Sequence, residues 1–228
     1  PDGAGVLRVT GNVAAWFRSY NQGPKGTFGQ DLPPLDPVGG YAAWTVMAYA
    51  FASAQSTVTD FRSNLLLVNL DGKEITFTIT SGGKEKTSTV AAGANTQINN
   101  LGAFLGTPRG FGAVQVTADG RWYAVVSTVD PVTGDPTTVR GLPPVPPGER
   151  LYPGVAKLGG SNQTVWRTEA TFCNPWTGPV QLRLGLIPRG SSQEAATRRV
   201  TLYAGEVLRV ADFYAYLNVA SGAGMLKV

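Results

Sequence analysis

The sequence contains no histidine, the residue on which most protein nucleophiles and many metal sites depend. A Ser-His-Asp or Cys-His nucleophile, a His-ligated zinc or iron and a histidine pH switch are therefore excluded. The 15 acidic residues lie mostly beside predicted turns, and no two of them stand out as the facing carboxylates of a glycoside hydrolase. We therefore predict no catalytic, cofactor-binding or metal-binding residues, and we expect a protein that is not an enzyme.

A Gly-x-Gly pattern occurs three times, in residues 3–9, 110–116 and 222–228. Such glycines can form a phosphate-binding loop when a helix follows them. Each copy here precedes a predicted strand, and none continues to a third glycine or to Lys-Ser/Thr. The pattern instead predicts a bulge or a close backbone approach where the chain enters a core strand.

The remaining candidates for chemistry are isolated. Asp130 and Asp135 lie five residues apart in a predicted hairpin loop, where a calcium loop needs several oxygen ligands at closer spacing. We interpret this pair as a solvated turn. Cys173, the single cysteine, lies at an apolar strand position, which favours a small buried core residue over a reactive thiol.

The elements around these residues are predicted to be short strands. The 29 glycines and 16 prolines are scattered between apolar runs, and 43% of the residues are hydrophobic. This pattern favours strands joined by turns over a helical bundle. The predicted strands are residues 65–70, 74–80, 96–99, 112–117, 121–128, 155–158, 168–174, 180–187, 198–203 and 224–228.

The chain contains an internal repeat of about 110 residues. The three Gly-x-Gly segments are separated by 107 and 112 residues, and other segments match in the same order. Residues 32–37 match 142–147, residues 60–69 match 165–174, and residues 99–105 match 211–217. Asn100 and Asp212 are predicted to be the N-caps of one short helix in each copy.

The repeat is cut at an unusual place. Residues 38–147 form a complete unit, whereas residues 148–228 stop at the Gly-x-Gly strand. The missing part is matched by residues 1–37, in which Trp16–Tyr20 corresponds to the region Val125–Val129. We predict two tandem immunoglobulin-like antiparallel β-sandwiches that are circularly permuted or strand-exchanged, with a barrel as the alternative.

The second unit resembles a repeat of secreted bacterial surface proteins. The resemblance is carried by Pro153-Gly-Val-Ala156, Trp166-Arg-Thr168, Asn174-Pro175 and the final Gly-x-Gly-x-Leu-x-Val strand. Residues 19–30 resemble the closing piece of that repeat. The resemblance implies an extracellular or cell-surface immunoglobulin-like β-sandwich without catalytic residues. The first unit departs from it, because Asn69 is followed by Leu and no Pro-Gly-Val-Ala is present.

Charge and hydropathy bear on the partners. The net charge of +4 is spread over single Lys and Arg residues, so we predict no nucleic-acid partner. The longest apolar run, residues 41–52, is shorter than the roughly 20 residues that span a bilayer, so we predict a core strand pair and no membrane insertion.

Aromatic residues leave a carbohydrate partner open, since exposed Trp and Tyr can form a binding platform. Trp166 matches Phe61 in the repeat, so both are predicted to be structural. Trp44, Trp122 and Trp176 have no such match and are open to exposure, but core or inter-domain packing is the role that we favour for them.

An unfinished sheet is a template for another chain. We therefore hypothesise that residues 1–37 insert into the next subunit and that the chain assembles head-to-tail as an extracellular structural filament or surface layer. Closure within one chain is the other outcome. The predicted donor contacts are Val6, Leu7, Val9, Trp16 and Phe17, and the predicted acceptor contacts are Met225, Leu226 and Val228. The alternative function is an adhesin or carbohydrate-binding module of a larger secreted bacterial protein.

Overall fold

The computed structural model describes residues 7, 9–10, 17–23, 26–31, 41–42, 46–48, 62–106, 113–130, 134–140 and 148–228. They fall into two compact units, Pro1–Val145 (unit 1) and Pro146–Val228 (unit 2). The structure confirms the predicted all-β class, because antiparallel sheets make up both units. Within the described ranges, no helix is long and apolar enough to cross a membrane.

The described residues of unit 1 form a hairpin, two larger sheets and one short helix. The strand order is β4-β9-β6-β7 in one sheet and β11-β10-β5-β8 in the other, where β3 also pairs with β10; β1 and β2 form the hairpin. The elements are β1 Arg18–Gly23, β2 Gly26–Asp31, β3 Tyr41–Ala42, β4 Val46–Ala48, β5 Arg62–Asn69, β6 Ile75–Ser81, β7 Lys84–Val90, β8 Asn95–Ile98, α1 Leu101–Leu105, β9 Val114–Thr117, β10 Arg121–Val129 and β11 Pro136–Arg140.

Both larger sheets of unit 1 contribute side chains to one core. In β6 the apolar residues Ile75, Phe77 and Ile79 alternate with threonines, so that one face of the strand is buried. Trp122 from the other sheet is fully buried, and its ring meets that of Phe77 edge-on with centroids 5.4 Å apart. The Trp122 indole N–H donates to the carbonyl of Ala118 at 3.2 Å, which satisfies its polar atom inside the core.

Unit 2 is built from a five-stranded sheet and a two-stranded sheet. The larger sheet has the order β13-β12-β18-β15-β16, and β14 pairs with β17 in the smaller one. The elements are β12 Leu151–Gly159, a 3-10 turn Ser161–Gln163, β13 Val165–Arg167, β14 Ala170–Cys173, β15 Val180–Pro188, β16 Ala196–Leu202, β17 Val207–Val210, α2 Phe213–Tyr216 and β18 Gly222–Lys227.

One local prediction is confirmed and one is wrong. A Cβ added to Gly224 would lie 2.2 Å from the carbonyl oxygen of Ile187, so the predicted close approach exists where the third Gly-x-Gly enters β18. The predicted strand pair in residues 41–52 is not a pair: β3 joins β10, whereas β4 joins β9 in the other sheet. Two short strands that lie in different sheets cannot be told from a hairpin by apolar composition.

Candidate interaction edge of unit 2

Each unit contains a turn that is held in place by the side chain of a buried asparagine. Asn69 follows the buried end of β5, and its amide nitrogen donates to the carbonyls of Lys73, Val90 and Ala91. Its oxygen accepts from the N–H of Asp71 at 2.8 Å. These contacts tie the β5–β6 turn to the end of β7.

Asn174 makes the matching contacts in unit 2. Its amide nitrogen donates to the carbonyls of Gly178 and Leu202, and its oxygen accepts from the N–H of Trp176 at 2.9 Å. Both asparagines are almost completely buried, at 1% exposure. The sequence match of residues 60–69 with 165–174 therefore has a structural counterpart.

The predicted helix caps are confirmed in both units. The side chain of Asn100 accepts from the N–H of Ala103, and that of Asp212 accepts from the N–H of Ala215. A side-chain oxygen at the N-cap satisfies a helix-end donor that has no partner within the helix. The two short helices thus begin at matched positions of the repeat.

Strand pairing also corresponds between the units. The antiparallel pairs β6–β7, β6–β9 and β5–β8 of unit 1 correspond to β15–β16, β15–β18 and β14–β17 of unit 2. Leu67 lies opposite Thr96, and Phe172, which follows Leu67 by 105 positions, lies opposite Leu208. The shared frame allows each residue of unit 2 to be compared with its counterpart in unit 1.

The units differ at one sheet edge. In unit 1, β10 pairs with all eight residues of β5, and β8 occupies the other side of the strand. In unit 2, the described residues pair β14 with β17 only. The counterpart of the long β5 is also divided into β13 and β14, and Arg167 pairs with Lys157 of β12 instead. Among the residues that the structure describes, none pairs with the edge of β14 that β10 would cover, which we call the open edge.

The core is exposed beside this open edge. Several positions that are buried in unit 1 are only partly buried in unit 2, and among them Leu65, Leu67 and Phe77 become Ala170, Phe172 and Leu182. Other positions remain buried in both units, as the pairs Ile79 with Leu184 and Leu101 with Phe213 show. Burial is therefore lost along β14, whose counterpart β5 is covered by β10 in unit 1.

The N-terminal hairpin has the form of the missing hairpin. β1 and β2 pair antiparallel from Arg18–Asp31 to Gly23–Gly26, as β10 and β11 pair from Val125–Arg140 to Val129–Pro136. β2 also contacts β10 and β11, where the side-chain oxygen of Gln30 accepts from the hydroxyls of Ser127 (3.0 Å) and Thr138. Within the described part of the chain, β1 has no strand partner other than β2.

The predicted donor residues that the structure describes are exposed. Leu7, Val9 and Phe17 are 69%, 48% and 39% exposed. Val6 and Trp16 lie outside the described residues. The donor role of all five stays a prediction.

The predicted acceptor residues lie in the middle of a sheet. β18 is paired on one side with β12 and on the other with β15, and the Val228 N–H donates to the carbonyl of Arg150 at 2.9 Å. Leu226 is buried, whereas Met225 and Val228 are partly buried. Because both edges of β18 are occupied, an added strand cannot pair with it while this sheet is intact. The acceptor role of Met225, Leu226 and Val228 stays a prediction that concerns side-chain contacts alone.

The open edge carries two side chains of chemical interest. The Thr171 hydroxyl oxygen is buried and has no hydrogen-bond partner, although such groups usually have one. The Cys173 thiol is free, and burial raises its pKa to about 11. This shift favours the unreactive thiol form that its strand position predicts, although the side chain is only partly buried.

Aromatic exposure agrees only in part with the sequence prediction. Trp122 is fully buried because it fills the core between the sheets of unit 1, which is the packing role that the sequence favours. Trp166, predicted to be structural, is 63% exposed on the edge strand β13. Trp176 is exposed, and Trp44 lies outside the described residues. Among the described residues, no three His, Cys, Asp or Glu side chains cluster in a way that could hold a metal ion.

Comparisons of the chain with protein-family models, curated proteins and solved structures gave no match. The open edge of β14 and the β1–β2 hairpin are therefore interpreted from their geometry and from the internal repeat.

Proposed function

We propose that the protein is an extracellular, non-catalytic structural protein that assembles head-to-tail by β-strand complementation. One observation carries the proposal: the chain contains two incomplete two-stranded sheets that together match one complete sheet. Placed side by side, β2-β1 and β14-β17 reproduce the order β11-β10-β5-β8 of unit 1. An isolated two-stranded hairpin is marginally stable in water, so both pieces gain from the union.

The proposal includes the finer fold prediction. Each unit is an immunoglobulin-like β-sandwich in a tandem pair, and unit 2 lacks the strands that residues 1–37 carry. The matched asparagine turns, helix caps and strand pairs support the repeat. The extracellular location is supported by the resemblance of unit 2 to repeats of secreted bacterial surface proteins.

A filament follows from the type of contact. The donor hairpin and the acceptor edge are different surfaces, so each chain that accepts a hairpin still has its own hairpin to donate. Such heterologous contacts continue in one direction unless the rotation between subunits closes a ring. The partner is therefore another copy of this chain.

Deletion of residues 1–31 tests the proposal. It removes the hairpin, and we expect large particles of the full chain to be replaced by monomers in multi-angle light scattering. Unit 1 keeps its own sheets, so the near-ultraviolet dichroism of buried Trp122 should be preserved. Polymers that persist in the deletion variant, or a full chain that is monomeric at high concentration, would contradict the proposal.

A carbohydrate-binding module is the second candidate. Trp166, Trp176 and Tyr203 are exposed on unit 2 without a core to fill, and aromatic faces of this kind can bind sugar rings. Binding to a glycan array by a strictly monomeric full-length chain would favour this function over assembly.

A further inference from the structure

We infer that β1 of a second copy of the chain, extended by the preceding residue Phe17, pairs antiparallel with β14 in the register that places Phe17 opposite Cys173 and Ser19 opposite Thr171. This inference rests on the proposed function and assigns its interface. The acceptor is the open edge of β14 in the small sheet of unit 2. β18, which carries the predicted acceptor residues, contributes Leu226 to the same core.

The acceptor half of the register comes from unit 1. There Tyr123 lies opposite Val68, and Val125 lies opposite Leu66. In the matched repeat, Cys173 is the counterpart of Val68 and Thr171 is the counterpart of Leu66. A strand that covers β14 as β10 covers β5 therefore places its Tyr123 and Val125 counterparts against those two residues.

The donor half of the register comes from the hairpins. Val125 pairs with Arg140, which lies two residues before Leu142 of the Leu-Pro-Pro segment. Gln30 lies two residues before Leu32 of the matching segment, and Gln30 pairs with Ser19. Ser19 is therefore the counterpart of Val125, and Phe17 is the counterpart of Tyr123.

This register differs by three residues from the sequence match. The sequence alone matches Trp16–Tyr20 with the region Val125–Val129, whereas counting back from Ser19 matches residue 16 with Trp122. In unit 1, Trp122 lies opposite Asn69 and contacts Phe77. The counterpart of Phe77 is the partly exposed Leu182, so the gap in unit 2 has the location of a missing tryptophan.

The side chains at the edge fit this partner. The unpaired Thr171 hydroxyl lies in the register position of Ser19, an exposed hydroxyl on β1. Unit 1 contains a cross-strand pair of the same kind, since the hydroxyls of Ser63 and Thr128 lie 3.0 Å apart between β5 and β10. Cross-strand hydroxyl pairs stabilise sheets in this way.

The occupant is a second copy because the described residues hold the hairpin through β2. Gln30 of β2 contacts β10 and β11, whereas β1 has no strand partner among the described residues other than β2. The hairpin can therefore keep these contacts while β1 pairs with the β14 edge of another copy. The combined sheet then runs from unit 1 of one copy to unit 2 of the next.

Cysteine cross-linking tests the register, because the acceptor already carries Cys173. A donor variant with Phe17→Cys and Cys173→Ser has one thiol, and it is mixed with the unmodified chain and gently oxidised. Directly opposed residues have Cα atoms about 4.5–5.5 Å apart, which is within the range that a disulfide spans. We expect a reducible dimer on a non-reducing gel.

The matched control donor carries Arg18→Cys and Cys173→Ser. Residue 18 is the next residue along the strand, so its side chain points to the opposite face of the sheet. We therefore expect the dimer of this variant to form at least about tenfold more slowly. Polymers with no preference for position 17 would overturn the register and leave the proposed function intact. An absence of both polymers and cross-links would overturn both.

A further arm separates the two closures. The Phe17→Cys variant that keeps Cys173 contains both thiols in one chain. A disulfide that forms within this monomer, with none in the mixture, would show that the hairpin closes on its own chain and would overturn the second-copy partner. A ladder of covalent multimers is the expected result.

Discussion

At the scale of single residues, the buried asparagines carry much of the turn architecture. Water cannot replace the hydrogen-bond partners of Asn174, because its side chain is almost completely buried. Its three hydrogen bonds join the β14–β15 turn to the end of β16. A side chain of this kind is difficult to substitute, because its removal leaves backbone groups without partners in the interior.

We expect Asn174→Ala to destabilise unit 2 by about 2 kcal/mol, since a buried group left unsatisfied costs about 1–3 kcal/mol. Urea unfolding followed by tryptophan fluorescence measures the change, with exposed Trp166 and Trp176 as reporters in unit 2. Asn69→Ala should have a similar effect in unit 1.

Gln181→Ala is the matched control, because Gln181 is an exposed amide on β15. Surface substitutions of this type change stability by no more than about 0.5 kcal/mol. Equal urea midpoints for the Asn174 and Gln181 variants would show that the asparagine contacts do not hold the turn.

The sequence identifies such residues only in part. The repeat places Asn69 and Asn174 at matching turns, but their burial and carbonyl partners come from chain segments 21 and 28 residues away. Cys173 was correctly placed on a strand, whereas its position at an open edge depends on which strands pair. The exposure of Trp166 differs from the prediction because exposure depends on the neighbouring sheet and not on the tryptophan itself.

At the scale of elements, the matched N-cap positions of α1 and α2 carry side chains that differ in charge. Asn100 caps α1 with a neutral amide, and Asp212 caps α2 with a carboxylate that also lies 2.8 Å from the Lys157 ammonium. The hydrogen bond from Lys157, followed by that from the Ala215 N–H, lowers the pKa of Asp212 below its ordinary value.

This lowered pKa predicts a pH dependence of stability. A carboxyl with a lower pKa in the folded state stabilises the fold above its unfolded pKa of about 3.9 and loses this effect as pH falls through the folded value. Asp212→Asn keeps a capping oxygen, as Asn100 does, but removes the charge. We expect the variant to be less stable at pH 7 by less than about 1 kcal/mol.

The difference should shrink as the pH falls below about 4 and the carboxylate of the unmodified chain is protonated. Urea midpoints of both proteins over a pH series give the measurement, and Lys157→Met should remove most of the same difference. A gap that is constant over the whole series would show that the Lys157 contact contributes nothing.

Strands were predicted well where apolar residues alternate and poorly where they do not. The predicted strands at 65–70 and 180–187 correspond to β5 and β15. β7, with the sequence Lys84-Glu-Lys-Thr-Ser-Thr-Val90, was missed because it is mostly polar and exposed. β7 is a strand because it pairs with β6 over seven residues. The repeat predicts an incomplete unit but not which edge is uncovered, because that depends on the position of β18 between β12 and β15.

At the scale of the whole molecule, directionality separates a filament from a closed pair. In the proposed assembly every chain donates β1 through one surface and accepts through β14 at another. A chain without residues 1–31 keeps the acceptor edge but has nothing to donate. It can therefore occupy one end of a polymer, and no further chain can be added beyond it.

We expect this deletion variant to shorten polymers when it is added in small amounts to the full chain. Each polymer of a head-to-tail series holds at most one such terminator, so one terminator per ten chains limits the mean length to roughly ten chains. Mass photometry over a series of mixing ratios measures this limit, and the same addition of full-length chain should leave the mean mass unchanged. Assembly through a self-complementary surface would instead give particles of fixed size at every ratio, because both partners of such a contact use the same patch.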